Sequence, residues 1–192
     1  MLKPTTETEE LFLEVLKWEN EVFIKGVDHE GYLFPPIGPL RGIHSELARV
    51  LKKSGAFVYD SDDDLLHPYQ RLRAIPGMIE DVIGVLKEGM KKNVTFAAES
   101  IVGTWHKYDK LRVAKAENSE LFEMFENVPR DKVDPRLFAA IVKISKDVMV
   151  EEVIPAFERL RQFLSDVYIK SVRPTPGLLS IPKGAELYRY LE

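Results

Sequence analysis

Four histidines, a run of aspartates and one block of mixed aromatic and titratable side chains are the places where this chain could do chemistry. His29 is followed by Glu30, the pair that opens a zincin. Such a site needs a second His four residues after the first, on the same helical face, and that position is Leu33. A four-helix di-metal site needs two Glu-x-x-His pairs, and the nearest approach is a single Asp64-x-x-His67. Any protein metal site here would need ligands from distant elements. The chain has no cysteine, which excludes a thiolate metal site and a thiol nucleophile. Asp60-Ser-Asp-Asp-Asp64 starts like a calcium loop, but the sixth position, which must be Gly, is Leu65, and the twelfth, which must be a bidentate Glu, is Arg71. A solvated loop whose last aspartate caps a helix accounts for the run. No Gly-x-Ser-x-Gly elbow, phosphate loop or Gly-x-Gly-x-x-Gly turn occurs. These absences predict no catalytic residue, no metal ligand and no cofactor.

Two positive features remain. Trp105-His106-Lys107-Tyr108 joins rings to titratable groups, and with Glu99 it forms the candidate pocket: Trp105, His106, Tyr108 and Glu99. The plainer alternative places Trp105 in an apolar stripe and His106 on a polar side. Asn93-Val94-Thr95 is an N-glycosylation sequon, so Asn93 is a candidate modification site if the chain is secreted. The N-terminal residues lack the apolar core of a signal peptide. The cytoplasm is therefore the default compartment, and secretion would require processing. The paired carboxylates Glu151 and Glu152, with Glu158, lie on charge-rich helices and read as a solvated face.

The elements that must carry these groups are helical. Of 192 residues, 27 are basic and 31 acidic, a net charge of −4 with both signs mixed. That balance argues against nucleic acid or an anionic membrane as partner, since both need concentrated basic charge. No stretch of about 18 apolar residues is present to span a bilayer. Thr6 or Thr8 caps a first helix whose apolar residues, Leu11 to Phe23, surround much of its circumference, which predicts a well-buried element. A Pro/Gly-rich ordered loop spans Gly26 to Gly42, followed by a short helix from Ile43 to about Lys53, stopped by Ser54-Gly55. Tyr69 to Met90 is the clearest amphipathic helix; Pro76 either kinks it or marks its start. Its stripe, Ile79, Val82, Ile83 and Leu86, should face Leu160 and Leu164. A second stripe runs from Ala97 to Trp105, and Glu120 to Phe125 forms a helical turn or two. Asp134-Pro135 starts a long C-terminal helix, proline-kinked at Pro155, and Gly184 to Leu191 forms a last short one. No segment alternates with a two-residue period. The fold class predicted is all-α, a single multi-helix domain over residues 1–192.

Three stretches in order resemble one family. They are Arg71-Leu-Arg-Ala-Ile-Pro-Gly-Met-Ile-Glu-Asp-Val-Ile83 with Leu86-Lys-Glu-Gly-Met-Lys91; Val153-Ile-Pro-Ala-Phe157 with Leu160 and Phe163-Leu164; and Gly177, Pro182-Lys-Gly184 and Tyr188-x-Tyr190-Leu191. Gly31-Tyr-Leu-Phe-Pro35 fits as well. Together they resemble domain-of-unknown-function family 885, helical proteins similar to zinc metallopeptidases, over residues 10 to 192. The resemblance implies much longer relatives and a zinc motif, His-Glu-Ala-x-Pro-Gly-His. That motif is absent here, so the chain looks like a middle portion of that architecture and no catalytic residue carries over.

The expectation is a non-catalytic helical binding or assembly protein on a metallopeptidase-like scaffold. The alternative is a fragment of a zinc metallopeptidase whose catalytic part lies outside this chain. Apolar residues left on the first helix and at the C-terminus predict a homodimer burying on the order of 2,000 Å². A small-molecule or peptide ligand could occupy a pocket between its subunits.

Overall fold

The computed structural model describes residues 4–29, 33–38, 42–52, 61–113, 115–126 and 128–192, without the side chains at 44, 52, 110–113 and 117. Its helices are α1 (Glu7–Asp28), α2 (Ile43–Lys52), α3 (Leu66–Lys92), α4 (Ala98–Ile101), α5 (His106–Val113), α6 (Pro135–Val148), α7 (Ile154–Gln162) and α8 (Gly184–Leu191). Among the described residues, extended pairing is limited to two isolated bridges, Ile37 with Gly42 and Ala97 with Arg173. The fold is all-α.

The core forms where α3 packs against α6 and α7. Ile79, Val82, Ile83 and Leu86 are buried in the same apolar cluster as Leu160 and Leu164, as a one-sided helix stripe requires. Pro76 lies inside α3, one helix from Leu66, and does not begin it. At the far end Asn93 takes a left-handed conformation (φ 58°, ψ 27°), and the Val94 N–H donates to the Gly89 carbonyl at 2.9 Å. A side chain on Gly89 would meet the Val94 carbonyl, so the glycine permits this tight cap.

Asp134 begins α6 as its spacing predicts: its Oδ1 accepts from the Arg136 N–H at 2.7 Å, with Pro135 in the first turn. The helical path then continues through a π-helical turn at Met149–Val153, α7, a second π-helical turn at Phe163–Val167 and a 3₁₀ turn at Tyr168–Ser171. The first wide turn ends just before Pro155. Proline has no N–H to continue the α ladder, and a widened turn is one way a helix absorbs that loss. The aspartate run forms a 3₁₀ turn, Asp62–Leu65, in which the Ser61 N–H and hydroxyl both donate to Asp64 at 2.9 Å. Asp62 accepts from the Asp134 N–H at 2.8 Å, tying this turn to the start of α6. Asp60, Ser54 and Gly55 lie outside the described residues.

Three expectations need correction. The stripe from Ala97 to Trp105 is not one helix: α4 ends at Ile101, and Gly103 turns the chain with φ +81° before α5 begins. Only glycine enters that region without cost, so it dominates the weak local helix signal. The loop does not begin at Gly26, because α1 runs on to Asp28. The largest correction concerns α1 itself. It forms as expected, with a capping box between Thr6 and Glu9, but none of its 22 residues is buried. Phe12 and Trp18 are each 64% exposed and Phe23 is 74% exposed.

Candidate functional site

The residues of the candidate pocket are only partly brought together. Trp105 is half-buried against the core, and its ring lies 5.9 Å from that of His106. Tyr108 turns inward instead, 1% exposed, and stacks on Phe157 at 5.8 Å. Burial pushes its phenol well above the ordinary tyrosine range. Glu99 stands exposed on α4 and makes no hydrogen bond or ion pair among the described residues. What joins His106 is Asp109, three residues on along α5, and through it Arg161. The His106 Nδ1 lies 3.2 Å from Asp109 Oδ2, and Asp109 Oδ1 accepts from Arg161 Nε at 2.6 Å. Arg161 comes from α7, 52 residues away in the chain, and also lies 3.7 Å from Glu158. The Arg161 hydrogen bond first, and then His106, hold the Asp109 carboxyl below the usual carboxylate range.

A histidine backed by a carboxylate is half of a nucleophile-activating array. The other half, a hydroxyl hydrogen-bonded to the second ring nitrogen, does not occur among the described residues, and the His106 side chain is 68% exposed. The array links α5 to α7 across the surface. His29 closes α1 with its ring 5.0 Å from that of Tyr190, and His67 lies 3.8 Å from Asp64. The side chain of His44 lies outside the description. Among the described residues no three His, Asp or Glu side chains converge as a metal site. Asn93 is exposed, and its left-handed cap gives a structural reason for asparagine there, since asparagine tolerates that conformation.

The most distinctive surface lies elsewhere, where α1 meets the C-terminal segment. The Tyr190 hydroxyl donates to the Val22 carbonyl at 2.9 Å, and the ring lies over Gly26. A β-carbon on Gly26 would sit 2.6 Å from that hydroxyl, so glycine makes the close approach possible. Beside this joint opens an apolar cleft of about 400 Å³, lined by Phe23, Val27, Phe34, Leu178, Leu187 and Leu191 among others. In sequence, Phe23 stands among the apolar residues of the first helix and Phe34 in the Pro/Gly-rich loop. Periodicity had no means of showing that the C-terminal end of α1, from Val22 to His29, meets Tyr190 and α8.

No curated protein and no solved structure matches this chain at a significant level. A family model described as "Bacterial protein of unknown function (DUF885)" matches residues 3–191, nearly the whole sequence. The α3 stripe, the Val153–Phe157 segment and the Gly184 helix that carried the resemblance all lie within that match, and the chain belongs to the DUF885 family.

Proposed function

We propose that this chain is a non-catalytic helical assembly module that docks onto another polypeptide through α1. The observation that carries this reading is a 22-residue helix with no buried residue and large apolar side chains along most of its length. Nucleating a helix is costly, and most helical stability in proteins comes from packing an apolar face against something. Contiguous apolar surface of this extent marks an interaction site more often than an accident of composition. Among the described residues no three His, Asp or Glu side chains converge, so the metallopeptidase alternative would draw its zinc ligands from elsewhere.

Trp18 reports directly on the docking. With Trp105→Phe in place, Trp18 is the remaining tryptophan of the two in the chain. The reading predicts that its fluorescence in the assembled protein is blue-shifted and shielded from acrylamide. Emission and quenching like those of a free peptide, in the protein isolated in its native assembly, would refute it.

A further inference from the structure

We infer that the polypeptide covering α1 is a basic amphipathic helix, which packs along the seam Leu11, Val15, Trp18 and Val22 and sets Lys or Arg beside the acidic row that borders it. This rests on the assembly reading above and names the chemistry of the partner.

The first argument is spacing. Leu11, Val15, Trp18 and Val22 follow one another at steps of four, three and four, the spacing at which one helix meets another along a shared seam. Leu11 is 61% exposed, Val15 46% and Trp18 64%. Val22, half-buried with its carbonyl bonded to Tyr190, closes the seam. The side of α1 that its own chain occupies is a different one. Phe23 and Val27, which line the cleft against α8, lie roughly 130° round the helix from the centre of the seam.

The second argument is charge. Glu7, Glu14 and Glu21 recur every seven residues, so they form one row along one border of the seam. All three are exposed, and none makes an ion pair or a side-chain hydrogen bond among the described residues. Glu19 stands at the opposite border. Lys17 lies beyond the row, away from the seam, and Lys25 follows Val22 at its end; these two are the only basic residues of α1, against seven acidic ones. Two copies of this helix would repel each other in either orientation. Parallel pairing sets the row of one copy against Glu19 of the other, and antiparallel pairing sets the row against itself. A helix bordered by Lys or Arg turns the same contacts into attraction. The apolar seam thus supplies affinity, while the acidic row rejects a like helix and selects a basic one.

Anisotropy titrations of the full chain with three labelled synthetic helices, each about four heptads long, test this. The first has a Leu/Val seam bordered by Lys, the second has the same seam bordered by Glu, and the third has Lys borders around an Ala seam. The first should bind about tenfold or more tighter than the second, since three or more contacts change from repulsion to attraction. Added salt should shrink that difference. Glu14→Lys combined with Glu21→Lys should abolish the preference, and because both sites are exposed the unfolding transition should not move. Trp18→Ala should weaken binding of the first helix by about tenfold or more. Without a helix, the chain should sediment as a 22.0 kDa monomer. Equal binding of the first two helices would overturn the basic partner and leave the assembly reading standing. Equal binding of the Ala-seam helix would reduce the contact to charge alone and overturn the seam. A dimer of the chain that Trp18→Ala dissociates would make a second copy the occupant and overturn the inference. Failure of all three helices to bind would overturn it too. If Trp18 were then shielded from acrylamide in the monomer, α1 would be folded onto its own chain, and the assembly reading would fall as well.

Discussion

Arg173 holds two distant stretches of the chain together, and its removal should be costly for a reason that can be apportioned. Its Nε donates to the Thr95 carbonyl at 2.8 Å; its Nη1 donates to the Thr175 carbonyl at 2.9 Å, to the Ser180 hydroxyl at 2.6 Å and to the Gly177 carbonyl. Its backbone is already tied to the same neighbour: the Arg173 N–H donates to the Phe96 carbonyl at 3.1 Å, and its carbonyl accepts from Ala98 at 2.9 Å. Arg173→Ala leaves that backbone bridge and removes the guanidinium. Thr175, Gly177 and Ser180 are exposed, so water replaces their lost donor and each adds a few tenths of a kcal/mol. Thr95 is 4% exposed, and losing a charge-assisted bond to a buried carbonyl costs about 1.5–3 kcal/mol. The total is about 2–4 kcal/mol. Arg173→Lys should recover less than half of this, because one ammonium cannot serve Thr95 through a position along the stem and Ser180 through the tip. Urea unfolding followed by circular dichroism, with an unchanged slope, measures both differences. A loss below about 0.5 kcal/mol for Arg173→Ala would refute the reasoning, and full recovery by Lys would show that charge alone mattered.

Ile83→Ala should destabilise by about 2–4 kcal/mol through lost burial and a residual cavity, read from the shift of the chemical midpoint. Gly77→Ala should stabilise by about 0.5–1 kcal/mol, because a β-carbon there meets nothing within 4 Å and Ala is the better helix former. Gly184→Ala should do the opposite and release the C-terminal segment, since its β-carbon would overlap the Leu178 carbonyl; amide exchange across 178–191 would rise. The Asp109 carboxyl is held below its ordinary value of 3.8, so the stability it contributes is present above that value and is lost as pH falls through the lower folded one. Asp109→Asn should therefore flatten the acid limb of stability below about pH 4 and leave the neutral-to-alkaline shape unchanged.

Helix positions were legible wherever a one-sided stripe or a cap was strong. The α3 stripe and the Asp134-Pro135 start needed no tertiary information, because burial on one face imposes the period and an N-cap acts within two residues. The break at Gly103 was harder to see, since a glycine inside an apolar stripe is compatible with a helix until its dihedral is known. The burial of α1 was misjudged for a more instructive reason. Apolar residues around most of a helix imply that something covers it, and sequence cannot say whether that something is the same chain. The pairing of Asp109 with Arg161 and the seat of Tyr190 against α1 join residues 52 and more positions apart. Each partner had an ordinary surface or cap role in its local context, so no local signal distinguished them. Of the proposed pocket, the ring pair Trp105 and His106 is adjacent in space as in sequence, while Tyr108 serves the core.

The account rests on α1 being covered by another polypeptide, and amide hydrogen exchange over residues 11–20 across a dilution series of the natively isolated protein tests that most directly. If a partner covers α1, those amides are protected in the assembly and lose protection as dilution dissociates it, while α3 amides keep theirs throughout. Protection in α1 that does not change with concentration, or that is absent at every concentration, would contradict it.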